Sequence, residues 1–372
     1  MAWCRCDGRH MRYWDERSRR PDLRNKKPEW GAIGINHLPA KRLCHISDRT
    51  VYRGFPLYCT ASSPGHLGLF PGTPYKQRHY RKIMAETIKL VYTAAKVRLG
   101  FLIMLCALAG FAITPGENNL TAWQVIVLGI TVLLCSSSAG AFNQWYERDI
   151  DARMRRTKTR PFATGRFTAS WYWPGAITLI SLMAILALAF ATNFMAAFYL
   201  FLGAFCYGVV YTVWLKRRTW WNVVIGGLAG SFAVLAGAAA VDVSVGPAGW
   251  IMATVLFLWT PPHFWALAYA CKSDYKKAGV PMLPSLVDDR TATWVILVHV
   301  VALVALSILP VFYGLSWIYL LGAGAGGIYF VRETIKFHLK PGIPQAWRTF
   351  ASSIVQLGLM LVSAILDRIV LG

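Results

Sequence analysis

The sequence predicts an all-α, polytopic membrane protein. Hydrophobic residues make up 56% of the 372 residues, and mean hydropathy is +0.42. Several apolar runs approach or exceed the roughly 18–20 residues that a helix needs to cross a bilayer. The runs are continuous and do not alternate between apolar and polar residues, which argues against a membrane barrel. We therefore expect a bundle of nine transmembrane helices with a cavity that opens to the inner side.

The expected helices follow one another from residue 99 onward. They lie at 99–115, 121–142, 172–192, 194–215, 222–241, 248–270, 293–313, 316–331 and 349–366. The loops after the second, fourth, sixth and eighth runs contain lysine and arginine, whereas the other four loops contain neither. Because basic loops stay on the inner side of a membrane, this alternation predicts an N-terminus inside and a C-terminus outside. The expected location is the bacterial inner (cytoplasmic) membrane, or the mitochondrial inner membrane in a eukaryote.

Residues 1–83 are rich in arginine, proline and glycine and show no sustained periodicity. They lack the apolar core of a signal peptide, and acidic residues interrupt the basic face that a transit peptide needs. Two interpretations stay open: a disordered extension, or a start assigned too early, with the protein beginning at Met84. Residues 84–372 form the expected membrane domain under either interpretation.

The net charge of +22 raises the question of a nucleic-acid partner. The basic residues of the membrane domain lie mostly in the inner loops, so topology explains them and we expect no nucleic-acid partner. The lipid bilayer is the expected surrounding. The eight cysteines form no convincing metal-binding pattern and are expected to be reduced and structural.

Three polar residues follow the second apolar run at fourfold spacing. Asn143, Glu147 and Asp151 share one helix face, since each step of four residues advances only about 40°. Asp149 points away from that face. Two carboxylates and an amide suit Mg²⁺, which proteins usually hold with one or two carboxylates plus substrate phosphates. The alternative is that these acids pair only with basic residues of the neighbouring loops.

Basic residues surround these acids in the inner loops. Guanidinium and ammonium groups bind phosphate oxygens, although such loops also contact lipid headgroups. The candidate anion-binding residues are Lys96, Arg98, Arg156, Arg160, Lys216, Arg217 and Lys272. A second inner loop adds the carboxylate of Asp274. Acids for a metal and basic groups for an anion, placed over an apolar bundle, predict a substrate with a diphosphate head and a lipid tail.

The sixth apolar run contains the sequence WTPPHFW. Pro261 and Pro262 are expected to kink this helix, which is tolerated where a helix lines a cavity. His263 and His299 are intramembrane histidines, which are more often hydrogen-bonded structural residues than ligands.

Several motifs coincide with those of one known family. They are Asn143-x3-Glu147-x3-Asp151, RTKTRP (156–161), YTVWLKRRT (211–219), WTPPHFWALA (259–268) and DYKKAGVPMLP (274–284). From about Lys96 to the C-terminus the chain resembles the UbiA-type intramembrane prenyltransferases. The Asn143-x3-Glu147-x3-Asp151 motif alone indicates only the superfamily, whereas WTPPHFW with AGVPMLP is far more specific to the branch of that family that modifies heme.

The resemblance implies transfer of a farnesyl group from farnesyl diphosphate to a vinyl group of heme B, giving heme O for heme A biosynthesis. Asn143, Glu147 and Asp151 would bind Mg²⁺ as the cofactor, and Asp274 would belong to the catalytic set. Candidate heme contacts are His263, His299 and Tyr269. Heme A synthase or cytochrome oxidase assembly would lie downstream. The chain departs from the family pattern with Glu147 in place of aspartate and Ala278 in place of a second acid after Asp274.

Two other functions stay open. One is prenylation of a different aromatic acceptor, such as 4-hydroxybenzoate, which would not need WTPPHFW. The other is transport of an anionic lipid or metabolite. A transporter needs polar groups near the membrane midplane, whereas the charges here crowd one face, which favours an enzyme that opens inward.

Overall fold

The computed structural model describes residues 74–115 and 120–371, and all regular secondary structure in these ranges is helical. The domain boundary proposed at residue 83 falls near the start of this part, and residues 1–73 lie outside it. The helices are α1 Pro74–Ala94, α2 Val97–Ile113, α3 Ala122–Tyr146, α4 Arg148–Arg153, α5 Tyr172–Ala191, α6 Phe194–Phe205, α7 Asn222–Gly226, α8 Leu228–Val241, α9 Pro247–Ala270, α10 Lys272–Ala278, α11 Leu283–Leu286, α12 Asp289–Leu306, α13 Trp317–Leu339 and α14 Ile343–Leu371.

The all-α membrane class is confirmed, but the count of nine spans is not. Each expected apolar run overlaps a helix or two consecutive helices. By length and composition, seven helices in the described ranges could cross a membrane, and an eighth counts if Tyr80–Ala94 and Val97–Ile113 form one span with a 51° bend. Helix α13 is not among them, because its glycines and its charged C-terminal end lower its hydropathy. Nine spans therefore stays a prediction.

Two helices of the core pack with their backbones in contact. A Cβ atom at Gly237 of α8 would lie 1.8 Å from the carbonyl oxygen of Ala107 in α2, and one at Gly110 would lie 2.1 Å from that of Val234. Small residues allow such close approach between membrane helices. The α2–α8 pair forms part of the main apolar core.

A ten-residue π-helix, Cys206–Leu215, continues α6. The wider turn is visible in the backbone, where the Lys216 N–H donates to the Tyr211 carbonyl at 2.9 Å, and in the Thr212 hydroxyl, which donates to the Tyr207 carbonyl at 2.7 Å. Such segments are rare and often occur at functional sites. This one packs beside α3 and carries Tyr207 and Tyr211, with Lys216 directly after it.

Helix α9 continues without a break from Pro247 to Ala270, so Pro261 and Pro262 do not end it. A bend of 51° lies earlier in the chain, between α1 and α2. Lys96 there has φ 49°, in the left-handed region that non-glycine residues seldom adopt. Helix α1 begins at Pro74, ten residues before Met84. The bend positions Lys96 beside α3.

Candidate active site

The three spaced polar residues lie on one face, although the helix that carries them is interrupted. Helix α3 ends at Tyr146, and α4 begins at Arg148. The Glu147 N–H still donates to the Asn143 carbonyl at 3.0 Å, and the Asp151 N–H donates to the Glu147 carbonyl at 2.8 Å. The three side chains are therefore buried together, whereas Asp149 is exposed.

Each of the three buried groups has a basic partner. The Lys96 ammonium donates to Asn143 Oδ1 at 2.5 Å, and the Lys216 ammonium lies 2.5 Å from Glu147 Oε2. One nitrogen of Arg160 lies 2.8 Å from both oxygens of Asp151. The acids thus do pair with basic residues, yet those residues arrive from three separate segments of the chain. Basic residues from three separate segments meeting at one place are typical of a binding site, whereas simple charge pairing within one surface loop would use neighbouring residues.

Asn143 also joins the π-helix to α3. Its amide nitrogen donates to the Thr212 hydroxyl at 3.0 Å. Because the oxygen and the nitrogen of this amide are both hydrogen-bonded, the side chain is fixed with its oxygen toward Lys96. Lys96 in turn donates to the Tyr207 hydroxyl at 3.2 Å.

Glu147 keeps one carboxylate oxygen without a hydrogen bond. Oε1 is buried and has no partner among the described residues, and burying an unpaired carboxylate oxygen is unfavourable. No group of three or more histidine, cysteine, aspartate or glutamate side chains in residues 74–115 and 120–371 could hold a metal ion. Asn143, Glu147 and Asp151 offer hard oxygen ligands that fit a Mg²⁺ ion completed by substrate phosphates and water.

Asp274 lies on α10, which packs against α4. The apolar side chains of Ile150, Met154 and Tyr275 belong to one buried cluster between these helices. The Asp274 carboxylate is buried and accepts from Arg155 Nε at 3.3 Å. The structure therefore places the second acidic loop beside the first.

A cavity of about 660 Å³ opens over these residues. Five of the predicted anion-binding residues line it, together with Asn143 and Asp151. The five are Lys96, Arg98, Arg156, Arg160 and Lys216. Lys216 and Arg160 already pair with the buried carboxylates of Glu147 and Asp151. The other basic residues of the cavity add positive charge that can bind a polyanion.

A second cavity of about 150 Å³ continues from the first into the bundle. Leu99, Tyr207 and Phe264 line both cavities. The inner cavity is lined mainly by apolar and small residues of α2, α3, α6, α8 and α9. The two together form a charged mouth above an apolar chamber.

Two predicted anion-binding residues lie outside the cavity. Arg217 forms two hydrogen bonds with Asp149, at 2.7 and 3.1 Å. Partial burial opposes ionisation of Asp149, but the hydrogen bond and charge of Arg217 outweigh it and hold the pKa of that carboxyl below its ordinary value. Lys272 donates to Asp289 at 3.2 Å.

The three candidate heme contacts all have partners in the helical bundle. His263 is stacked between Trp259 and Phe350, and its Nδ1 lies 2.7 Å from the Ser353 hydroxyl. The His299 Nδ1 lies 2.9 Å from the Val295 carbonyl of its own helix. The Tyr269 hydroxyl donates to Asp289 at 2.6 Å. None of them is among the residues that line the two cavities.

Two tyrosines of the charged cavity were not among the predicted site residues. Tyr207 and Tyr211 stack with ring centroids 5.5 Å apart, and the ammonium groups of Lys96 and Lys216 lie over these rings at 5.7 and 5.3 Å. Tyr211 stands in the motif YTVWLKRRT, which was the only signal available. A π-helix has no recognisable periodicity in so short a segment, so its alignment of residues 207, 211 and 216 could not be read from the sequence.

The fold and the site define a helical membrane protein with a basic, carboxylate-containing cavity above an apolar chamber. Residues 103–355 match the UbiA prenyltransferase family, and the chain belongs to that family. It is therefore a prenyltransferase by membership.

Curated relatives place the chain more finely within the family. It is 46% identical over 289 residues to protoheme IX farnesyltransferase 2 of Paramagnetospirillum magneticum, an alignment that covers 78% of this chain and all of the relative. It is 38% identical over 286 residues to protoheme IX farnesyltransferase of Parvibaculum lavamentivorans, covering 73% of this chain and 86% of the relative.

Solved structures share the fold at low identity. Digeranylgeranylglyceryl phosphate synthase superposes with a TM-score of 0.61 at 16% identity, covering 76% of this chain and 99% of the other. A UbiA homologue from Archaeoglobus fulgidus bound to GPP and Mg²⁺ superposes with a TM-score of 0.53 at 17% identity, covering 73% and 99%.

Proposed function

We propose that this protein transfers the farnesyl group of farnesyl diphosphate to one carbon of a heme B vinyl group. Water supplies a hydroxyl group to the other vinyl carbon, and diphosphate and a proton leave, which gives heme O. The observation that carries the chemistry is the charged cavity continuous with an apolar chamber. Asn143 and Asp151 line this cavity, and the Glu147 side chain is buried between them on the same helix face. The acceptor follows from the curated relatives, which are named protoheme IX farnesyltransferase.

The basic residues of the cavity would bind the diphosphate. Arg156, Arg160 and Lys216 line its mouth, and positive groups held in place before the reaction stabilise the charge that builds on a departing diphosphate. Lys96 would contribute from the α1–α2 bend, where Asn143 and Tyr207 hold its ammonium group. Arg98 lines the same wall.

Mg²⁺ would be held by Asn143, Glu147 and Asp151, with Asp274 close by on α10. Support comes from the unpaired Oε1 of Glu147 and from the family relative whose structure contains GPP and Mg²⁺. When bound, the ion supplies positive charge to the diphosphate oxygens. Glu147 and Asp151 would orient that charge toward the leaving group.

The apolar chamber would hold the farnesyl chain. Its lining includes Leu99, Phe264 and Leu256, which exclude water from the allylic carbon as its bond to the diphosphate weakens. The rings of Tyr207 and Tyr211 line the charged mouth, and Tyr207 also lines the apolar chamber. Their π faces would stabilise developing positive charge on the farnesyl group.

Heme B would approach from the same inner-side opening. The candidate contacts His263, His299 and Tyr269 have intramolecular partners, so heme binding through them would require those hydrogen bonds to be exchanged. Lys272 and Arg217 lie at the inner surface and would meet the heme propionates rather than the diphosphate. The inner side would be the cytoplasm or the mitochondrial matrix, and the product would pass to heme A synthesis and cytochrome oxidase assembly.

The deciding experiment uses the full chain in lipid nanodiscs with heme B, farnesyl diphosphate and Mg²⁺. Mass spectrometry should detect heme O, heavier than heme B by one farnesyl group and one hydroxyl group. A parallel reaction offers 4-hydroxybenzoate as acceptor. Prenylated hydroxybenzoate with unmodified heme would overturn the acceptor assignment. Movement of intact farnesyl diphosphate across the bilayer of sealed proteoliposomes, without heme O formation, would favour transport.

A further inference from the structure

Helix α1 has one apolar face that no other described part of the chain covers. Five of its large apolar side chains are between 47% and 68% exposed, namely Tyr80, Ile83, Met84, Ile88 and Val91. At about 100° per residue they fall within one stripe. Lys82, Glu86 and Lys89 lie on the opposite side. An apolar face of this size needs a partner.

The polar side of α1 faces the candidate active site. Lys89, Tyr92 and Thr93 line the charged cavity, and Glu86 lies 3.6 Å from Arg166 in the basic loop after α4. The helix joins the bundle only near its end, where Ala94 is buried and Gln144 donates to the Thr93 carbonyl at 2.7 Å. The apolar stripe is therefore turned away from the cavity.

A fixed bend sets the direction of α1. The helix turns 51° from α2, and the left-handed conformation of Lys96 makes the turn. Gly140 of α3 lets this bend approach closely, since a Cβ there would lie 3.2 Å from the Ala95 carbonyl oxygen. An α2 tilted by about 20° from the bilayer normal, the usual value, can thus carry α1 at a shallow angle to the membrane plane.

We propose that α1 lies in the lipid–water interface of the inner leaflet, with its apolar stripe among the acyl chains and its polar side forming the wall of the cavity mouth. Charge complementarity selects anionic lipid as the occupant. Arg81 stands at the edge of the stripe, and Lys82 and Lys89 outnumber Glu86 on the polar side. Basic amphipathic helices bind anionic interfaces in this way. The inference does not depend on which acceptor is prenylated.

The test measures the depth of single positions in the full-length protein. A genetically encoded fluorescent amino acid replaces Met84, Val91, Lys82 or Ala85, one at a time, in nanodiscs that contain phosphatidylglycerol. Quenching by lipids brominated at different acyl positions reports depth, and quenching by aqueous acrylamide reports water. The thermal unfolding midpoint of each labelled protein checks its fold.

We expect lipid quenching at positions 84 and 91 and acrylamide quenching at positions 82 and 85. Positions 84 and 91 are seven residues apart, about 10.5 Å along the axis, so an interfacial helix gives depths that differ by less than about 5 Å. A difference near the full 10 Å would make α1 part of a membrane span and overturn the proposal. Acrylamide quenching on both faces would also overturn it.

A matched pair of variants tests the apolar stripe itself. With the label at position 91, the double substitution Ile83→Ser and Ile88→Ser should abolish lipid quenching. The control, Lys82→Arg with Ala85→Ser, keeps the charge of the polar side and should leave lipid quenching in place. If neither brominated lipid nor acrylamide quenches the fluorescent residue at position 84, a protein segment or a second copy of the chain covers the stripe. That outcome, or lipid quenching that survives the Ile83 and Ile88 substitutions, would contradict the interfacial assignment.

Discussion

The Lys216 ammonium lies 2.5 Å from Glu147 Oε2, and the side chains are only 16% and 1% exposed. The second oxygen of the same carboxylate is buried without a hydrogen bond. A buried ion pair satisfied on one side only is costly for folding stability. We therefore infer that the unpaired oxygen, Oε1, binds a positively charged ligand in the working protein.

Glu147→Gln should lower kcat/KM for farnesyl diphosphate on the order of 100-fold, because the variant loses a charged metal ligand. Asp149→Asn is the matched control. It makes the same charge change two residues away on an exposed pair with Arg217, so the loss should stay below about fivefold. Heme O formation measures both. Equal losses in the two variants would contradict a special role for Glu147.

Removal of divalent cations should stop turnover without unfolding the protein. Two carboxylates and an amide do not complete an octahedral shell, so the ion depends on substrate phosphates and can be withdrawn by a chelator. Added Mg²⁺ should restore heme O formation, and Ca²⁺ should restore less of it, since Ca²⁺ prefers more ligands at longer distances. Full activity in excess chelator would argue against a metal held by Asn143, Glu147 and Asp151.

The sequence alone was sufficient to predict which polar side chains of the α3–α4 segment lie together at the site. The fourfold spacing of Asn143, Glu147 and Asp151 placed them on one face, and the structure keeps that face despite the interruption at Glu147. The exposure of Asp149 followed from the same geometry. Local periodicity carries this information because i to i+4 contacts do not depend on tertiary packing.

Long-range partners could not be predicted in this way. The choice of Lys216 for Glu147 and of Arg217 for Asp149 depends on where the π-helix ends, and the sequence gives no sign of its wider turn. The contribution of Lys96 depends on a left-handed conformation that is unfavourable for lysine. This turn packs closely on Gly140, where an added Cβ would lie 3.2 Å from the Ala95 carbonyl oxygen, and such a long-range contact cannot be read from local sequence.

Two substitutions of Lys96 should have the same effect on binding of farnesyl diphosphate but different effects on the stability of the fold. Lys96→Gly and Lys96→Ala both remove the ammonium group near Asn143, so both should raise the KM for farnesyl diphosphate about tenfold or more. Glycine adopts φ 49° without strain, whereas alanine does not. The glycine variant should therefore be about 1 kcal/mol more stable than the alanine variant.

Steady-state kinetics and thermal unfolding in the same detergent measure these two effects. Unchanged KM in both variants would remove Lys96 from the diphosphate site. Equal stability of the two variants would contradict strain at this position.

The size of the apolar chamber should limit the length of the prenyl chain. Gly230 lines it, and a Cβ there would meet no atom closer than Leu256 at 3.8 Å. Gly230→Leu should fill part of the 150 Å³ volume and reduce kcat/KM for farnesyl diphosphate more than for geranyl diphosphate, while Gly230→Ala should change the ratio little. Competition between the two diphosphates measures the ratio. If the ratio of kcat/KM for the two diphosphates is the same in the leucine variant as in the unmodified protein, the prenyl chain does not bind in this chamber.

The contact between α2 and α8 should be the least tolerant of added volume. In Gly237→Ala the new methyl group would overlap the Ala107 carbonyl, 1.8 Å away, so the helices must separate and stability should fall by about 1–3 kcal/mol or more. Gly324→Ala in α13 is the control, because no atom lies within 4 Å of its Cβ position. There the better helix propensity of alanine should leave stability unchanged or raise it by up to about 1 kcal/mol. Thermal unfolding in nanodiscs compares the two, and a Gly237→Ala variant as stable as the unmodified protein would mean that α2 and α8 do not pack backbone to backbone.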